Sequence, residues 1–251
     1  MTSQSPYYKR AILKISGESF SSQGVMGIDP DELNTIARQI ADAANLGTEL
    51  AVVVGGGNMI RGVELASRVG IPQATADYMG MLGTVINALA LKEAVEQQGQ
   101  PARVMSALDI ESVAEPFIRG RALRHFEKGR VLILAAGTGN PFFTTDTCAS
   151  LRAIELGADI LLKATKVDGV YDCDPVDNDD ATRFETITFS EAITKQLGVM
   201  DLTALSMCME HNLPVVVFNF KLDGNICKVV AGESIGTLVN NPSDQAVSNA
   251  N

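Results

Sequence analysis

Short apolar runs recur along the chain and alternate with segments that have helical periodicity. Because these runs do not alternate polar with apolar residues, they are typical of strands that are buried on both faces of a sheet. The runs cover residues 11–15, 50–54, 102–105, 131–135, 160–162 and 215–218. Strands that alternate with helices indicate parallel pairing, with helices on both sides. The pattern therefore predicts an α/β fold, a three-layer αβα sandwich with a central, mostly parallel sheet.

Helix boundaries can be placed between these runs. Asp29 is a candidate N-cap, Pro30 would occupy the first helical position, and Gly47 would end the first helix. Three further helical patterns cover residues 79–97, 190–197 and 201–211.

Clusters rich in glycine follow three of the apolar runs. They are Lys14-Ile15-Ser16-Gly17-Glu18, Gly55-Gly56-Gly57-Asn58 and Gly137-Thr138-Gly139-Asn140. The carboxyl ends of parallel strands meet at one edge of a sheet, which is where such folds bind ligands. Lys14 and Lys163 end two different predicted strands, so a shared anion is indicated. A tight turn is the alternative interpretation of the three glycines, and a solvated side chain is the alternative for each lysine.

The stretch 131–149 is the most informative part of the chain. After the predicted strand, two glycines and a proline within 137–141 forbid continuation as strand or helix. One of the residues 144–146 then caps a helix, and a helix start presents free N–H groups to an anion. The stretch therefore predicts a polar pocket that holds an anion and recognises a small polar ligand. Simple helix capping is the alternative role for Asp146 and for Asp201.

Length and charge narrow the class of protein. A chain of 251 residues fits one large domain or two small ones, and residues 1–160 and 161–240 are candidates for two lobes. A net charge of −10 disfavours nucleic-acid polymers as partners. It does not disfavour nucleotides, because a few lysines and Mg²⁺ neutralise their phosphates locally. The N-terminus lacks the apolar core of a signal peptide, and no apolar segment approaches the ~20 residues that span a bilayer, so we expect a cytoplasmic protein without membrane contact.

Other residue types argue against several kinds of site. The four cysteines are widely spaced, so no disulfide or metal framework is expected, and Cys148 is expected to be buried rather than nucleophilic. The acidic stretch 172–180 fails the EF-hand pattern, because Asp177 and Arg183 stand where glycine and glutamate are needed. Both histidines are isolated on helical segments. The sequence therefore predicts no metal ion held by the protein alone.

Seven motifs follow one another along the chain. They are Lys14-Ile-Ser-Gly-Glu18, Val54-Gly-Gly-Gly-Asn58, Arg61-Gly62, Asp77-Tyr-Met-Gly-Met81, Gly137-Thr-Gly-Asn-Pro-Phe-Phe-Thr-Thr-Asp146, Lys163-Ala-Thr-Lys-Val-Asp-Gly-Val170 and Val199-Met-Asp-Leu-Thr203. Together they resemble the bacterial uridylate kinases of the amino acid kinase family, from about residue 9 to residue 239. The lysine, triple-glycine and Val-Asp-Gly-Val motifs are shared across that family, whereas the run 137–146 is typical of its UMP kinase branch.

The resemblance implies a fold and a reaction. It implies a single amino acid kinase domain over residues 1–251, with an acceptor-nucleotide lobe of about 1–160 and an ATP lobe of about 161–240. It implies transfer of the γ-phosphoryl group of ATP to UMP, which gives UDP and ADP in pyrimidine nucleotide biosynthesis, with Mg²⁺ bound mainly through the ATP phosphates. It also implies a homohexamer and makes GTP and UTP candidate allosteric effectors.

The resemblance also implies the roles of individual residues. Catalysis would fall to Lys14, Lys163, Asp146 and Asp201. ATP binding would fall to Lys14, Ile15, Ser16, Gly17, Gly57, Arg61, Thr165, Tyr171 and Asp174. UMP binding would fall to Gly56, Arg61, Asp77, Thr138, Gly139, Asn140, Pro141, Phe142, Phe143, Thr144 and Thr145. Because phosphoryl transfer depends mainly on positioning and charge stabilisation, a catalytic base is dispensable.

Two other functions stay open at this point. One is a kinase of the same fold that acts on a carboxylate or a carbamate, which the run 137–146 disfavours because such a substrate needs no cleft for a base and a ribose. The other is a nucleotide-binding storage or sensor protein, which the retention of both lysines and both aspartates disfavours.

Overall fold

A computed structural model describes residues 7–22, 24–60, 70–175, 178 and 180–242. Within these residues, nine strands form one sheet in the order β4-β3-β5-β2-β1-β6-β8-β9-β7. The strands are β1 (Arg10–Ile15), β2 (Glu49–Val54), β3 (Ala102–Ser106), β4 (Glu115–Pro116), β5 (Val131–Ala135), β6 (Ile160–Thr165), β7 (Thr186–Thr188), β8 (Val215–Asn219) and β9 (Thr237–Asn240). Every neighbouring pair is parallel except β8 and β9.

Seven α-helices and one short 3₁₀ helix (Gly17–Phe20) accompany the sheet in the described part of the chain. The α-helices are α1 (Pro30–Asn45), α2 (Gln73–Gln97), α3 (Arg119–Glu127), α4 (Thr145–Leu156), α5 (Phe189–Thr194), α6 (Leu202–Glu210) and α7 (Asn225–Val230). Asp29 caps α1 as predicted, because its side chain accepts hydrogen bonds from the amides of Asp31 and Glu32. Helix α2 begins six residues earlier than the apolar pattern indicates, which places Asp77 inside the helix.

The core lies on both faces of the sheet. Successive residues of β1 point to opposite sides, so Leu13 and Ile15 join the cluster that packs against α1, α2 and α7, while Ile12 joins the cluster under α3 to α6. All three side chains are fully buried. The predicted three-layer αβα sandwich with a mostly parallel sheet is therefore confirmed.

The short strands at the two sheet edges are not visible in the sequence pattern. β4, β7 and β9 have two to four residues each, too few to show a periodicity. β6 also continues to Thr165 rather than ending at residue 162, because it pairs with β1 on one side and β8 on the other. Lys163 therefore lies within a strand. Among the described residues, the structure contains no helix whose length and apolar character would let it cross a membrane.

Candidate functional site

Two glycine-containing loops meet at the carboxyl ends of β1 and β2. A Cβ atom added to Gly17 would lie 2.3 Å from the amide nitrogen of Gly57, and one added to Gly55 would lie 2.4 Å from the amide nitrogen of Gly17. A Cβ added to Gly56 would lie 2.5 Å from the carbonyl oxygen of Gly80 in α2. These glycines are needed because the backbones of the two loops and α2 are in direct contact. The result is what we call the glycine rim, in which main-chain groups of the two loops lie against one another and against α2.

A pair of buried amides fixes this rim. Asn58 and Asn87 donate to each other's side-chain oxygen, at 3.0 and 2.7 Å, and Asn87 also donates to the carbonyl of Gly55 at 2.8 Å. Asn58 further donates to the carbonyl of Gly27 at 2.8 Å. Asn87 was not among the predicted site residues. Its signal in the sequence is a polar side chain within the otherwise apolar pattern of α2, because a buried amide must find hydrogen-bond partners.

A carboxylate between two lysines forms the charged centre of the site. Lys14 and Lys163 are register partners on the neighbouring strands β1 and β6. Asp146, in the first turn of α4, places Oδ1 2.7 Å from the Nζ of Lys14 and Oδ2 2.9 Å from the Nζ of Lys163. The Nζ of Lys163 also donates to the carbonyl of Val199. When both lysines are protonated, Lys14, Asp146 and Lys163 together carry one positive charge that can attract an anion, although the Asp201 carboxylate, which also acts on Lys163, offsets part of it.

Burial and neighbouring charges have opposing effects on the pKa values of Asp146 and Lys163. Burial raises the pKa of Asp146, but the charges of Lys14 and Lys163 outweigh it and hold that pKa below its usual value. Burial lowers the pKa of Lys163, the like charge of Lys14 adds to this effect, and the charges of Asp146 and Asp201 counteract it. Asp146 is therefore ionised at neutral pH and serves as a fixed negative charge between the two amines.

Asp201 has partners of a different kind. Its side chain caps α6 by accepting from the amide of Ala204 at 3.0 Å. It also accepts from the hydroxyls of Thr144, the N-cap of α4, and Thr147, in the first turn of α4. These hydrogen bonds join the N-termini of α4 and α6.

A cavity of about 250 Å³ opens beside the glycine rim, and we call it the glycine-loop cavity. It is lined by Gly56, Gly57, Ile60, Ala76, Asp77, Gly80, Met81, Thr84, Gly137, Thr138, Phe143 and Thr145. The lining combines main-chain groups, hydroxyls and one carboxylate with a few apolar side chains. Such a lining suits a small polar ligand that carries an anionic group.

The loop that follows β5 is held in an uncommon conformation at this cavity. Ala136 and Phe142 have φ angles of 62° and 71°, in the left-handed region that non-glycine residues rarely adopt. The hydroxyl of Thr84 accepts from the amide of Ala136 at 2.6 Å. The carboxylate of Asp77 accepts from the amide of Phe142 at 2.8 Å and from the side chain of Gln73 at 2.7 Å. Helix α2 therefore anchors both ends of the loop.

A second cavity, of about 430 Å³, lies at the carboxyl end of β6, and we call it the Tyr171 cavity. Its lining includes Lys163, Thr165, Tyr171 and Asp174, together with the segment 195–199. The Tyr171 hydroxyl donates to Asp168 at 2.6 Å. Lys163 lines this cavity, and Thr145, the neighbour of Asp146, lines the glycine-loop cavity. The charged centre therefore lies between the two cavities.

Most predicted site residues come together around these two cavities. Gly56, Gly57, Asp77, Thr138, Phe143 and Thr145 line the glycine-loop cavity. Gly139, Asn140, Pro141 and Phe142 belong to the same loop but do not line it, and Phe142 is 75% exposed. Ile15, Ser16 and Gly17 lead from β1 into the glycine rim. Arg61 lies outside the described residues.

Of the other titratable candidates, Cys173 lines the Tyr171 cavity, whereas Cys148 and His125 line neither of the two cavities. All four cysteines are free, and burial raises the pKa of the Cys148 thiol to about 11, as expected for a structural cysteine. His125 is not isolated, contrary to the sequence pattern: its Nε2 lies 3.0 Å from Glu115 and its Nδ1 lies 3.1 Å from Arg130. A third cavity, of about 560 Å³, lies far along the sheet beside β3 and β4.

Comparison with known proteins places this geometry among nucleotide kinases. The model of the amino acid kinase family matches residues 9–219. The UMP kinase of Bacillus anthracis is 38% identical, with a TM-score of 0.91 over 94% of this chain and 97% of that one. The UMP kinase of Ureaplasma parvum is 37% identical, with a TM-score of 0.88 over 93% of this chain and 99% of that one. The uridylate kinase of Archaeoglobus fulgidus is 26% identical, with a TM-score of 0.71 over 91% of this chain and 99% of that one.

Proposed function

Because the chain belongs to the amino acid kinase family, we propose that it phosphorylates UMP with ATP and so produces UDP and ADP. The observation that carries this proposal is the position of the Lys14–Asp146–Lys163 centre between two cavities of different lining. Such a site brings two ligands together at one cationic point, which is what transfer of a phosphoryl group between two nucleotides requires. The likeness to UMP kinases over nearly the whole chain supports UMP as the acceptor.

The Tyr171 cavity is the proposed ATP side. Thr165, Tyr171 and Asp174 would contact adenine and its ribose, and their places in the cavity lining support this assignment. The ATP phosphates would extend over Lys14 and the glycine rim, including Ile15, Ser16, Gly17 and Gly57. Arg61 is assigned to the phosphates of both nucleotides on sequence resemblance alone.

The glycine-loop cavity is the proposed UMP side. Gly56 would contact the UMP phosphate, Asp77 would accept from the ribose, and the loop from Thr138 to Thr145 would surround the uracil and the ribose. This assignment is supported by the exposure of Asn140, Phe142 and Phe143, which suits a loop that contacts a ligand rather than the core. Residues 1–160 would thus form the acceptor lobe and residues 161–240 the ATP lobe of one domain.

The proposed reaction needs no residue that removes a proton. An oxygen of the UMP phosphate, already ionised at neutral pH, forms a bond to the γ-phosphorus of ATP, and the bond from that phosphorus to the β–γ bridging oxygen breaks. ADP leaves with the electron pair. Lys14 and Lys163 stabilise the charge on the transferring group, while Asp146 and Asp201 orient the lysines.

The residues present fit Mg²⁺ that is held mainly by the phosphates. Asp146 is engaged by two lysines and Asp201 by two threonines and an amide, and no cluster of three or more His, Cys, Asp and Glu side chains in the described residues could hold a metal ion. Mg²⁺ usually binds through substrate phosphates and retains several waters. When bound, it neutralises phosphate charge and helps to align the reacting oxygens.

We also propose a homohexamer and a cytoplasmic role in pyrimidine nucleotide supply. Tyr78, Leu82 and Ile86 form an apolar stripe on α2 and are 44%, 48% and 51% exposed, which supports an interface with another subunit. GTP and UTP are proposed as effectors on family resemblance.

An acceptor panel tests the proposed function. ADP release from ATP and Mg²⁺ is measured with UMP, CMP, carbamate and N-acetylglutamate as acceptors. We expect UMP to give the highest kcat/KM. ATP binding without acceptor-dependent ADP release would indicate a storage or sensor protein instead, and turnover with carbamate or N-acetylglutamate alone would indicate a different kinase.

A further inference from the structure

Thr147 makes a contact that α4 does not need for its own stability. It lies one residue after Asp146 and is only 4% exposed. Its hydroxyl donates to the Asp201 carboxylate, 2.9 Å from Oδ1 and 3.1 Å from Oδ2. The N-terminus of α4 is already capped by Thr144, whose hydroxyl accepts from the amides of Asp146 and Thr147. The Thr147 hydroxyl is therefore directed at Asp201 and not at its own helix.

Asp201 in turn connects the two sides of the site. It is the N-cap of α6, and the segment directly before it includes Val199, whose carbonyl accepts from the Nζ of Lys163. Residues 195–199 also form one wall of the Tyr171 cavity. Holding Asp201 against α4 therefore fixes this wall relative to Asp146, which contacts both lysines.

We infer that Thr147 is a positioning residue for phosphoryl transfer and that it acts through Asp201. This inference rests on the proposed function, because the geometry it fixes is that of Lys163, Asp146 and the wall of the ATP cavity. Hydrogen bonds to a charged group are among the stronger ones in proteins, so the half-buried Asp201 carboxylate is expected to shift when it loses the Thr147 donor. The charge of Asp201 acts on Lys163, so such a shift would disturb the contact of Lys163 with Asp146.

The test compares two substitutions at this position with a matched control in the same helix. Thr147→Val keeps the shape of the side chain and removes the hydroxyl, whereas Thr147→Ser keeps the hydroxyl. Ser150→Ala is the control, because Ser150 is buried at the same α4–α6 contact and bonds the carbonyls of Asp146 and Ala204 rather than Asp201. For each variant, kcat and both KM values are measured with ATP and UMP, together with the melting temperature.

We expect Thr147→Val to lower kcat by roughly 10-fold to 100-fold, the effect of losing one hydrogen bond to a charged group, with both KM values within about threefold of wild type. Thr147→Ser should restore kcat to within about threefold, and Ser150→Ala should leave it unchanged. A folded Thr147→Val enzyme with wild-type kcat would overturn the inference, as would a Thr147→Ser enzyme as slow as Thr147→Val. Wild-type protein without UMP-dependent ADP release would instead overturn the proposed function.

Discussion

Two aspartates near the N-termini of neighbouring helices have opposite surroundings in this site. Asp146 lies in the first turn of α4 and contacts two ammonium groups, whereas Asp201 caps α6 and accepts from two hydroxyls and an amide. The sequence alone leaves helix capping open as the role of both aspartates. Asp201 is indeed an N-cap, whereas Asp146 is not, because Thr144 is the N-cap of α4 and the Asp146 carboxylate contacts the lysines instead. We therefore expect the Asp146 charge to act in phosphoryl transfer and the Asp201 charge to hold α4 and α6 in place.

The largest expected effect is that of Asp146→Asn. The neutral amide removes the carboxylate that the two ammonium groups share, so their repulsion favours movement of one lysine or loss of its proton. Because loss of a preorganised electrostatic contact costs about 10²–10³ in rate, kcat should fall by that factor. The measurement is steady-state kcat at saturating ATP and UMP, with circular dichroism to verify folding. A folded variant with kcat within threefold of wild type would show that the cluster is not the reaction centre.

A smaller effect is expected for Asp201→Asn. Asparagine caps helices about as well as aspartate, so α6 should stay intact. Thr144 and Thr147 both lose a charged acceptor, however, and only one acceptor oxygen remains for them. We expect kcat to fall about tenfold, the effect of one hydrogen bond to a charged group. Asp29→Asn is the matched control, since Asp29 caps α1 in the same way and contacts neither lysine. Equal losses in the two variants would mean that the effect of Asp201→Asn comes from capping alone.

The smallest expected difference concerns stability in acid. The pKa of Asp146 is lower in the folded protein than in the unfolded chain, so the unfolded state binds more protons as the pH falls below about 4. The contribution of Asp146 to stability is therefore complete at pH 7 and is lost as the pH falls through the folded pKa. In urea unfolding experiments, the difference in the free energy of unfolding between wild type and Asp146→Asn should be larger at pH 7 than at pH 3. A gap of the same size at both values would contradict this assignment.

The long elements of the fold could be predicted because their signals are local. The apolar runs of β1, β2, β3, β5 and β8 match the observed strands to within one or two residues. The antiparallel strand β9 (Thr237–Asn240) could not be predicted, because it is short and its place next to β8 depends on a distant part of the chain.

The site was predictable in its parts but not in its arrangement. A lysine near the end of each of two strands indicated a shared anion, and the structure shows that Lys14 and Lys163 are register partners. That pairing requires β1 and β6 to be neighbours, which no local pattern encodes. Thr84 and Asn87 were missed because a polar residue among the apolar positions of α2 does not reveal which partner it bonds. Thr147 was missed because it stands among other polar residues in the first turn of α4.

The rate of phosphoryl transfer in a single turnover tests the contrast between the two aspartates most directly. Excess enzyme, ATP labelled in the γ-phosphoryl group and saturating UMP are mixed rapidly, and the label in UDP is followed for wild type, Asp146→Asn and Asp201→Asn. We predict transfer by Asp146→Asn to be at least about tenfold slower than by Asp201→Asn, which in turn is slower than wild type. Equal rates in the two variants, or a slower Asp201→Asn enzyme, would contradict the account.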